Sequence, residues 1–307
     1  RTSYYVKNWG FCCTKTIFDR ISQEEEVIIE IDAQFADSEI EVLEYIVQGQ
    51  SDKEILFSSY TCHPNMANDS LSGVILNLEL AKALSKRQCE FTYRFVFLPE
   101  TIGPITYLSD HSTESIEYAI VSTTCGLNRN GYQVKLPFDP NSVIYHSVKN
   151  LVYEEPVEFF DFDIHGSDER QYSSPGVRIP TTSLHRGKYY EYPEYHTNLD
   201  NRSIVSGLSI YKSFRITCQL LSVLENSLKY SSGISKGEPF LSSKGLYNSL
   251  GGSLNPSRVS DLLDSILWVY WFVDEQTTFE AIADKAKVPV TDIIQAFKIL
   301  KKKNLIE

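Results

Sequence analysis

The sequence is short of positive charge: 29 Lys and Arg stand against 40 Asp and Glu, a formal net charge of -11 over 307 residues. Binding along a nucleic-acid backbone needs clustered cations, so the whole chain does not read as a polyanion binder. The acidic balance suits a soluble protein repelled by anionic membranes. Long apolar runs are missing too. None approaches the ~20 residues that span a bilayer, so no membrane segment is expected. Cysteine is sparse, with Cys12 and Cys13 adjacent and Cys62, Cys89, Cys125 and Cys218 scattered. None has the C-x-x-C spacing of a redox pair or zinc ribbon. They are read as reduced, mostly buried thiols of a cytoplasmic protein. No signal peptide is recognisable. The opening Arg1-Thr-Ser-Tyr-Tyr-Val reads as mid-domain sequence, so the natural protein is expected to extend upstream.

At roughly 100–200 residues per domain, two or three domains are expected. Glu26–Ile31 and Glu39–Val47 are rich in β-branched residues around an Ala36-Asp37-Ser38 turn and predict a small two-stranded sheet. Glu54–Ser59 is a short apolar run of the kind buried in parallel sheets. Leu71–Lys86 then carries a broad helical apolar face. A strand over Tyr93–Leu98, a helix over Ile102–Ser109 and a strand over Tyr118–Val121 complete an alternation typical of a layered α/β domain. Tyr153–Phe162 shows no clear period, Ile179–Leu184 predicts a strand, and Ser203–Leu228 a long helix. The Ser- and Gly-rich stretch 231–254 reads as a linker. Beyond it, Leu262–Tyr270, Thr278–Ala286 (with a Thr cap) and Val290–Lys301 predict three short helices, and Asn304-Leu305-Ile306 the start of a strand. Three helices and a terminal strand describe a winged helix over 255–307.

In layered α/β sheets function gathers on loops past the carboxyl ends of the strands. His63, Asp69 and Glu100 fall in such loops. A His and an Asp leading into a buried helix suit a cation that takes N and O ligands. Equally, His63 could end a strand and Asp69 cap the helix from Leu71. His196 lies in a polar loop before the long helix, where it either closes a metal site or is an exposed loop histidine. His111 is read as exposed, and His146, His165 and His185 have no partner spacing. Tyr189, Tyr190, Tyr192 and Tyr195 cluster before His196 and either line a pocket or simply pack.

Four segments in order, His63-Pro…Ala-Asn-Asp-x-Leu-Ser-Gly73, Phe97-Leu-Pro-Glu-Thr-Ile-Gly103, Gly166-Ser-Asp-Glu-Arg-Gln171 and Glu194-Tyr-His-Thr197, resemble the zinc-dependent aminopeptidase superfamily. The closer resemblance is to its aminopeptidase-like branch associated with polysaccharide biosynthesis, whose members carry a C-terminal winged helix. The opening Thr2-Ser-Tyr-Tyr5…Asn8-Trp-Gly-Phe-Cys12 is similar to that branch as well. The resemblance implies an α/β/α aminopeptidase-like domain over 1–16 and 54–230 with its N-terminal part missing, and a small β insertion over 17–53. It implies a hydrolase acting on a small peptide-like or acylated, amine-containing substrate, with a catalytically degenerate ligand-binding protein as the alternative and a winged-helix regulator as a third. His63 and His196 would be zinc ligands, Asp69 a bridging carboxylate followed by a cis peptide bond, and Glu100 the general base. Two positions depart from the pattern. Thr101 stands where a second acid is expected, and Thr123 or Thr124 where a further Asp is expected. Neutral Thr is a poor zinc ligand, so one ion is expected rather than two. Asp168 and Glu169 are the acids placed to compensate, Asp168 otherwise holding the site's hydrogen-bond network or forming a surface pair with Arg170.

The winged helix invites a DNA-binding reading, yet 255–307 holds seven basic against eight acidic residues. The N-terminal part of a recognition helix meets the bases, and here it reads Thr291-Asp-Ile-Ile294. A structural or protein-docking role is expected, including self-association through this unit, rather than nucleic-acid binding.

Overall fold

Glu54–Tyr60 is buried at every position, as a strand covered on both faces must be. It is an interior strand of a seven-stranded mixed sheet in the computed structural model, which describes residues 6–63, 65–226, 241–246, 261–273 and 277–306. In chain order the elements are α1 (Lys15–Ile21), β1 (Leu43–Val47), β2 (Glu54–Tyr60), a short π-turn (Ala67–Leu71), α2 (Ser72–Leu84), β3 (Thr92–Leu98), α3 (Ile102–Asp110) and β4 (Ile116–Ser122). There follow β5 (Tyr132–Lys135), α4 (Val143–Lys149), β6 (Val157–Phe160), α5 (Glu169–Tyr172), β7 (Thr181–His185), α6 (Gly207–Glu225), a 3-10 turn (Leu241–Lys244), α7 (Asp261–Phe272), α8 (Phe279–Ala286) and α9 (Val290–Lys302).

The sheet order is β1-β3-β2-β4-β7-β5-β6. Strand β2 runs parallel to both neighbours, β3 and β4. The chain passes from β2 to β3 on one side and then from β3 to β4 on the other, so the strand order reverses about β2 and leaves a crevice at its carboxyl end, where ligands bind in such sheets. Two apolar clusters flank the sheet. One gathers Ile55, Phe57, Leu76, Leu80 and Phe95, and the other Leu56, Val96, Leu98 and Val121. Helix α2 presses so closely on β4 that a Cβ on Gly73 would lie 2.1 Å from the Ser122 carbonyl oxygen. Only glycine fits that approach.

The chain divides into two units, Arg1–Glu39 and Ile40–Glu307. The first contains α1, none of whose residues is buried. The small sheet expected over 17–53 does not form among the described residues. Glu26–Ile31 is not a strand, and Ile28 is 91% exposed. Leu43–Val47 instead pairs antiparallel with β3 at the edge of the main sheet. A β-branched run becomes a strand only where a neighbouring edge accepts its hydrogen bonds, and β3 offers one to Leu43–Val47.

The expected linker 231–254 lies outside the described residues apart from 241–246. Of the C-terminal helices, α8 is capped by Thr278, whose hydroxyl accepts the Ala281 N–H. The strand expected at 304–306 is absent. Asn304 turns into the left-handed region at φ 55°, and Leu305 and Ile306 return to pack in the core. That core is continuous with α4 and α6. The buried Ser147 hydroxyl of α4 donates to Glu280 of α8 at 2.9 Å, joining the two parts with a polar bond inside an apolar contact. No helix among the described residues is long and apolar enough to cross a membrane.

Candidate metal centre

The loop after β2 carries His63 and Asp69, and the loop after β7 carries His196. The structure brings one ligand-type atom from each of the three within 4.8 Å of the others. His63 Nδ1 lies 3.7 Å from Asp69 Oδ1, and His196 Nε2 lies 3.0 Å from Asp69 Oδ2. The two imidazoles meet edge to face at 5.1 Å. The Asp69–Ser70 peptide bond is cis. Asp69 is fully buried. Burial alone would raise its carboxyl, but contacts from His196, His63 and Tyr60 outweigh it and hold the group well below the usual carboxylate range.

Asp200 holds the two loops together. Its carboxylate accepts the backbone N–H groups of Ala67, Asn68 and Asp69 at 3.0, 2.6 and 3.1 Å, and the Tyr192 hydroxyl at 3.0 Å. Buried backbone donors must be satisfied, and this single acid satisfies three of them in the segment that presents Asp69. His196 sits at φ 55°, a left-handed conformation that costs a non-glycine residue about 1 kcal/mol or more. Stacking of its ring on Tyr195, 3.9 Å away and 12° from parallel, fixes it there.

Glu100 follows β3 and faces the same centre, with Oε2 4.0 Å from His63 Nε2. Ser167 donates its hydroxyl to Glu100 Oε1 at 2.7 Å. Burial pushes the Glu100 carboxyl up; the Ser167 hydrogen bond opposes this and the Asp69 charge adds to it. The two candidate compensating acids diverge. Asp168 accepts the Thr101 N–H at 2.8 Å, as a support for the strand end rather than a member of the His–Asp cluster. Glu169 turns away into a buried ion pair with Lys135 at 2.9 Å and also accepts the Ser167 N–H. Neither joins the ligand-type clusters found among the described residues.

The threonine positions hold no acid. Thr123 is buried and its hydroxyl meets the Tyr60 hydroxyl, which in turn donates to Asp69 Oδ1 at 2.6 Å. Thr124 bonds the His185 Nδ1 at 2.9 Å, while Ser183 meets His185 Nε2. Burial, with Lys135 and Lys188 nearby, pushes that imidazole down to about 3, so His185 is a neutral packing residue. Cysteine corrects the sequence reading: Cys12, Cys13 and Cys62 are exposed, not buried. Cys62, Glu100 and His63 form the second ligand-type group among the described residues. Sequence reasoning also missed Tyr60, Ser167, Lys135 and Asp200. Two of them left a trace, Ser167 inside the Gly166–Gln171 motif and Asp200 as an acid inside the loop already marked by His196.

The donor set fits zinc, which takes imidazole nitrogen and carboxylate oxygen in small coordination numbers. His63 Nδ1 is buried and has no hydrogen-bond partner within the protein, and the buried Asp69 Oδ2 meets the His196 ring at 3.0 Å without a hydrogen bond of regular geometry. Such orphans are rare, and a cation between them would satisfy both.

Comparison with known proteins matches residues 14–227 to the model described as a domain of unknown function, DUF4910, and residues 229–307 to a winged helix-turn-helix family. The first match covers most of the chain. The chain belongs to the DUF4910 family. A relative from Clostridium acetobutylicum, named as a candidate polysaccharide biosynthesis protein with an aminopeptidase-like domain, is 37% identical over 82% of this chain and 58% of its own length. This DUF4910 chain thus spans under two thirds of that curated relative. A crystal structure of a candidate peptidase from C. acetobutylicum superposes with a TM-score of 0.83 at 32% identity, over 99% of this chain and 69% of the other. A zinc aminopeptidase of Bacillus subtilis shares the fold at a TM-score of 0.51 and 17% identity, over 59% of this chain and 49% of that one. The DUF4910 chain therefore has an aminopeptidase-like α/β fold followed by a winged helix.

Proposed function

We propose that the chain is a zinc-dependent, aminopeptidase-like hydrolase of small peptide-like or acylated amine substrates, with one ion held by His63, Asp69 and His196. The observation that carries this reading is the convergence of two imidazoles on a buried, ionised carboxylate whose Oδ2 makes no regular hydrogen bond, with Glu100 at the edge of the same cluster. A bound zinc ion supplies Lewis acidity, polarising a carbonyl and lowering the pKa of water towards ~7. The chain's own residues do the rest. Glu100 accepts the proton of the attacking water and returns it to the leaving amine, a role its upward-shifted carboxyl suits at neutral pH. Ser167 keeps Glu100 in one orientation. Asp200 fixes the loop of Asp69, and Tyr195 the ring of His196. Tyr60 occupies Asp69 Oδ1, which with Thr101 and Thr123 supports one ion over two. The six unpaired cysteines support a reducing, cytoplasmic setting. The relative's name supports a role in polysaccharide assembly.

A second reading is favoured by those same threonines: a catalytically degenerate protein that retains the pocket and a metal. Zinc quantitation beside an aminoacyl-anilide assay separates the two. Glu100→Gln is expected to keep zinc and fold but lose about 10²–10⁴-fold in hydrolysis. Loss of zinc in that variant would reassign Glu100 as a ligand, and absence of turnover in the zinc-loaded parent would favour the degenerate reading.

A further inference from the structure

We propose that Cys62, His63 and Glu100 form a second, sulfur-containing cation site that competes with the primary site for His63 and inhibits when filled; the inhibitory part rests on the function proposed above. Cys62 Sγ, a His63 ring nitrogen and a Glu100 carboxylate oxygen all lie within 4.8 Å of one another. His63 is the shared element. Its Nδ1 faces Asp69 Oδ1 at 3.7 Å and its Nε2 faces Glu100 Oε2 at 4.0 Å. A neutral imidazole has one nitrogen free to ligate and one that carries hydrogen, so the ring serves one donor set at a time.

The thiol is held in place by the Glu100 backbone N–H, which donates to Cys62 Sγ at 3.3 Å. Cys62 is exposed, which leaves a path for an incoming ion. A set of one thiolate, one imidazole and one carboxylate selects thiophilic cations such as Zn²⁺, Co²⁺ and Cd²⁺ over Mg²⁺ or Mn²⁺. On binding, the Cys62 S–H bond breaks, one sulfur–metal bond forms, and the proton leaves to solvent. Filling this site engages Glu100 and takes the His63 ring, leaving Asp69 and His196 to hold the first ion more weakly. Glu100 and His63 are thereby withdrawn from hydrolysis, and zinc in excess of one equivalent inhibits.

Cobalt titration of the full chain tests this by absorption. The expected result is a near-ultraviolet thiolate-to-cobalt charge-transfer band that develops with the second equivalent. It should be lost in Cys62→Ser and kept in a Cys12→Ser/Cys13→Ser variant, which removes the other exposed thiols. Zinc equilibrium dialysis should show two classes of site in the parent and one in Cys62→Ser, with circular dichroism confirming that each variant is folded. No band in the parent, a band that survives Cys62→Ser, or a band complete at the first equivalent overturns the proposal. His196→Ala separates the two readings. If it abolishes the first class and leaves the sulfur band, both stand. If it changes nothing while Cys62→Ser removes all tight binding, the primary site fails and the sulfur set is the metal site.

Discussion

Lys135→Met probes the support beneath the candidate base. Lys135 is fully buried, and its ammonium contacts Glu169 Oε1 at 2.9 Å, the Tyr189 hydroxyl at 3.1 Å and the His165 carbonyl oxygen. Glu169 is 1% exposed and also accepts the Ser167 N–H on both oxygens, at 3.1 Å each. Removing the cation leaves Glu169 as a buried charge without its countercharge. Deleting one partner of such a pair costs about 3–5 kcal/mol, a large share of the roughly 5–15 kcal/mol that holds a domain folded. Surrounding Glu169 with N–H and O–H donors keeps the expected loss at the lower end, about 3 kcal/mol. The double variant Lys135→Met/Glu169→Gln removes both charges and should recover about half or more of that loss, because the penalty belongs to the stranded carboxylate rather than to missing attraction. Urea unfolding of the metal-free protein, followed by circular dichroism, measures all three. A single-variant loss below about 1 kcal/mol, the level of a solvated surface pair, would refute the reasoning, and so would a double variant no more stable than the single. In the proposed hydrolase the single variant should also lower kcat more than it raises KM, since Ser167 then ceases to orient Glu100.

Gly73→Ala should destabilise the protein by about 1–3 kcal/mol or more, because its Cβ would meet the Ser122 carbonyl oxygen at 2.1 Å; thermal melting checks this, and an unchanged midpoint would mean that α2 can slide on β4. Glu155 gives an acid-limb prediction. Burial alone would raise its carboxyl, but hydrogen bonds from Arg186 and Lys212 outweigh that and hold it down at about 2. Its contribution is therefore complete above the unfolded value near ~4.3 and is lost as pH falls towards the folded one. Glu155→Gln should be less stable at neutral pH and lose less on acidification than the parent in urea melts at successive pH values. Duplex DNA should bind the full chain no better than non-specifically, at a Kd of roughly 10⁻⁴–10⁻⁶ M. Sequence-selective nanomolar binding at physiological salt, measured by anisotropy, would contradict that expectation.

The central strands were legible because each carries its own signal. Ile55-Leu-Phe57 and Phe95-Val-Phe97 are apolar runs too short for helices, and β2 and β3 form over them. Strands β5 and β6, four residues each, were not legible: Tyr132-Gln-Val-Lys135 is strand-like only because β7 and β6 lie beside it. The same dependence on partners misled in the other direction at Glu26–Ile31, where β-branched residues form no strand. For the candidate site, loop position marked His63, Asp69 and Glu100, and motif order added His196. Neither reaches residues whose work is to satisfy other residues' backbone groups.

Asp168 and Glu169 show where such reasoning stops. As neighbours in a Gly-bounded loop they look interchangeable, two acids equally placed to replace a lost ligand. What divides them is a lysine 34 positions earlier in the chain. Lys135 is fully buried, and a buried ammonium must find a carboxylate. Glu169 reaches it and Asp168 turns to the Thr101 N–H instead. Gly166 makes room for the arrangement: at φ +144° it lies so close that a Cβ would stand 2.0 Å from Glu169 Oε1 and 2.6 Å from Lys135 Nζ. The motif Gly166-Ser-Asp-Glu169 is thus a fitting for one buried cation, through which Ser167 is aimed at Glu100. Its chemistry becomes readable only once β5 is known to pass beneath it.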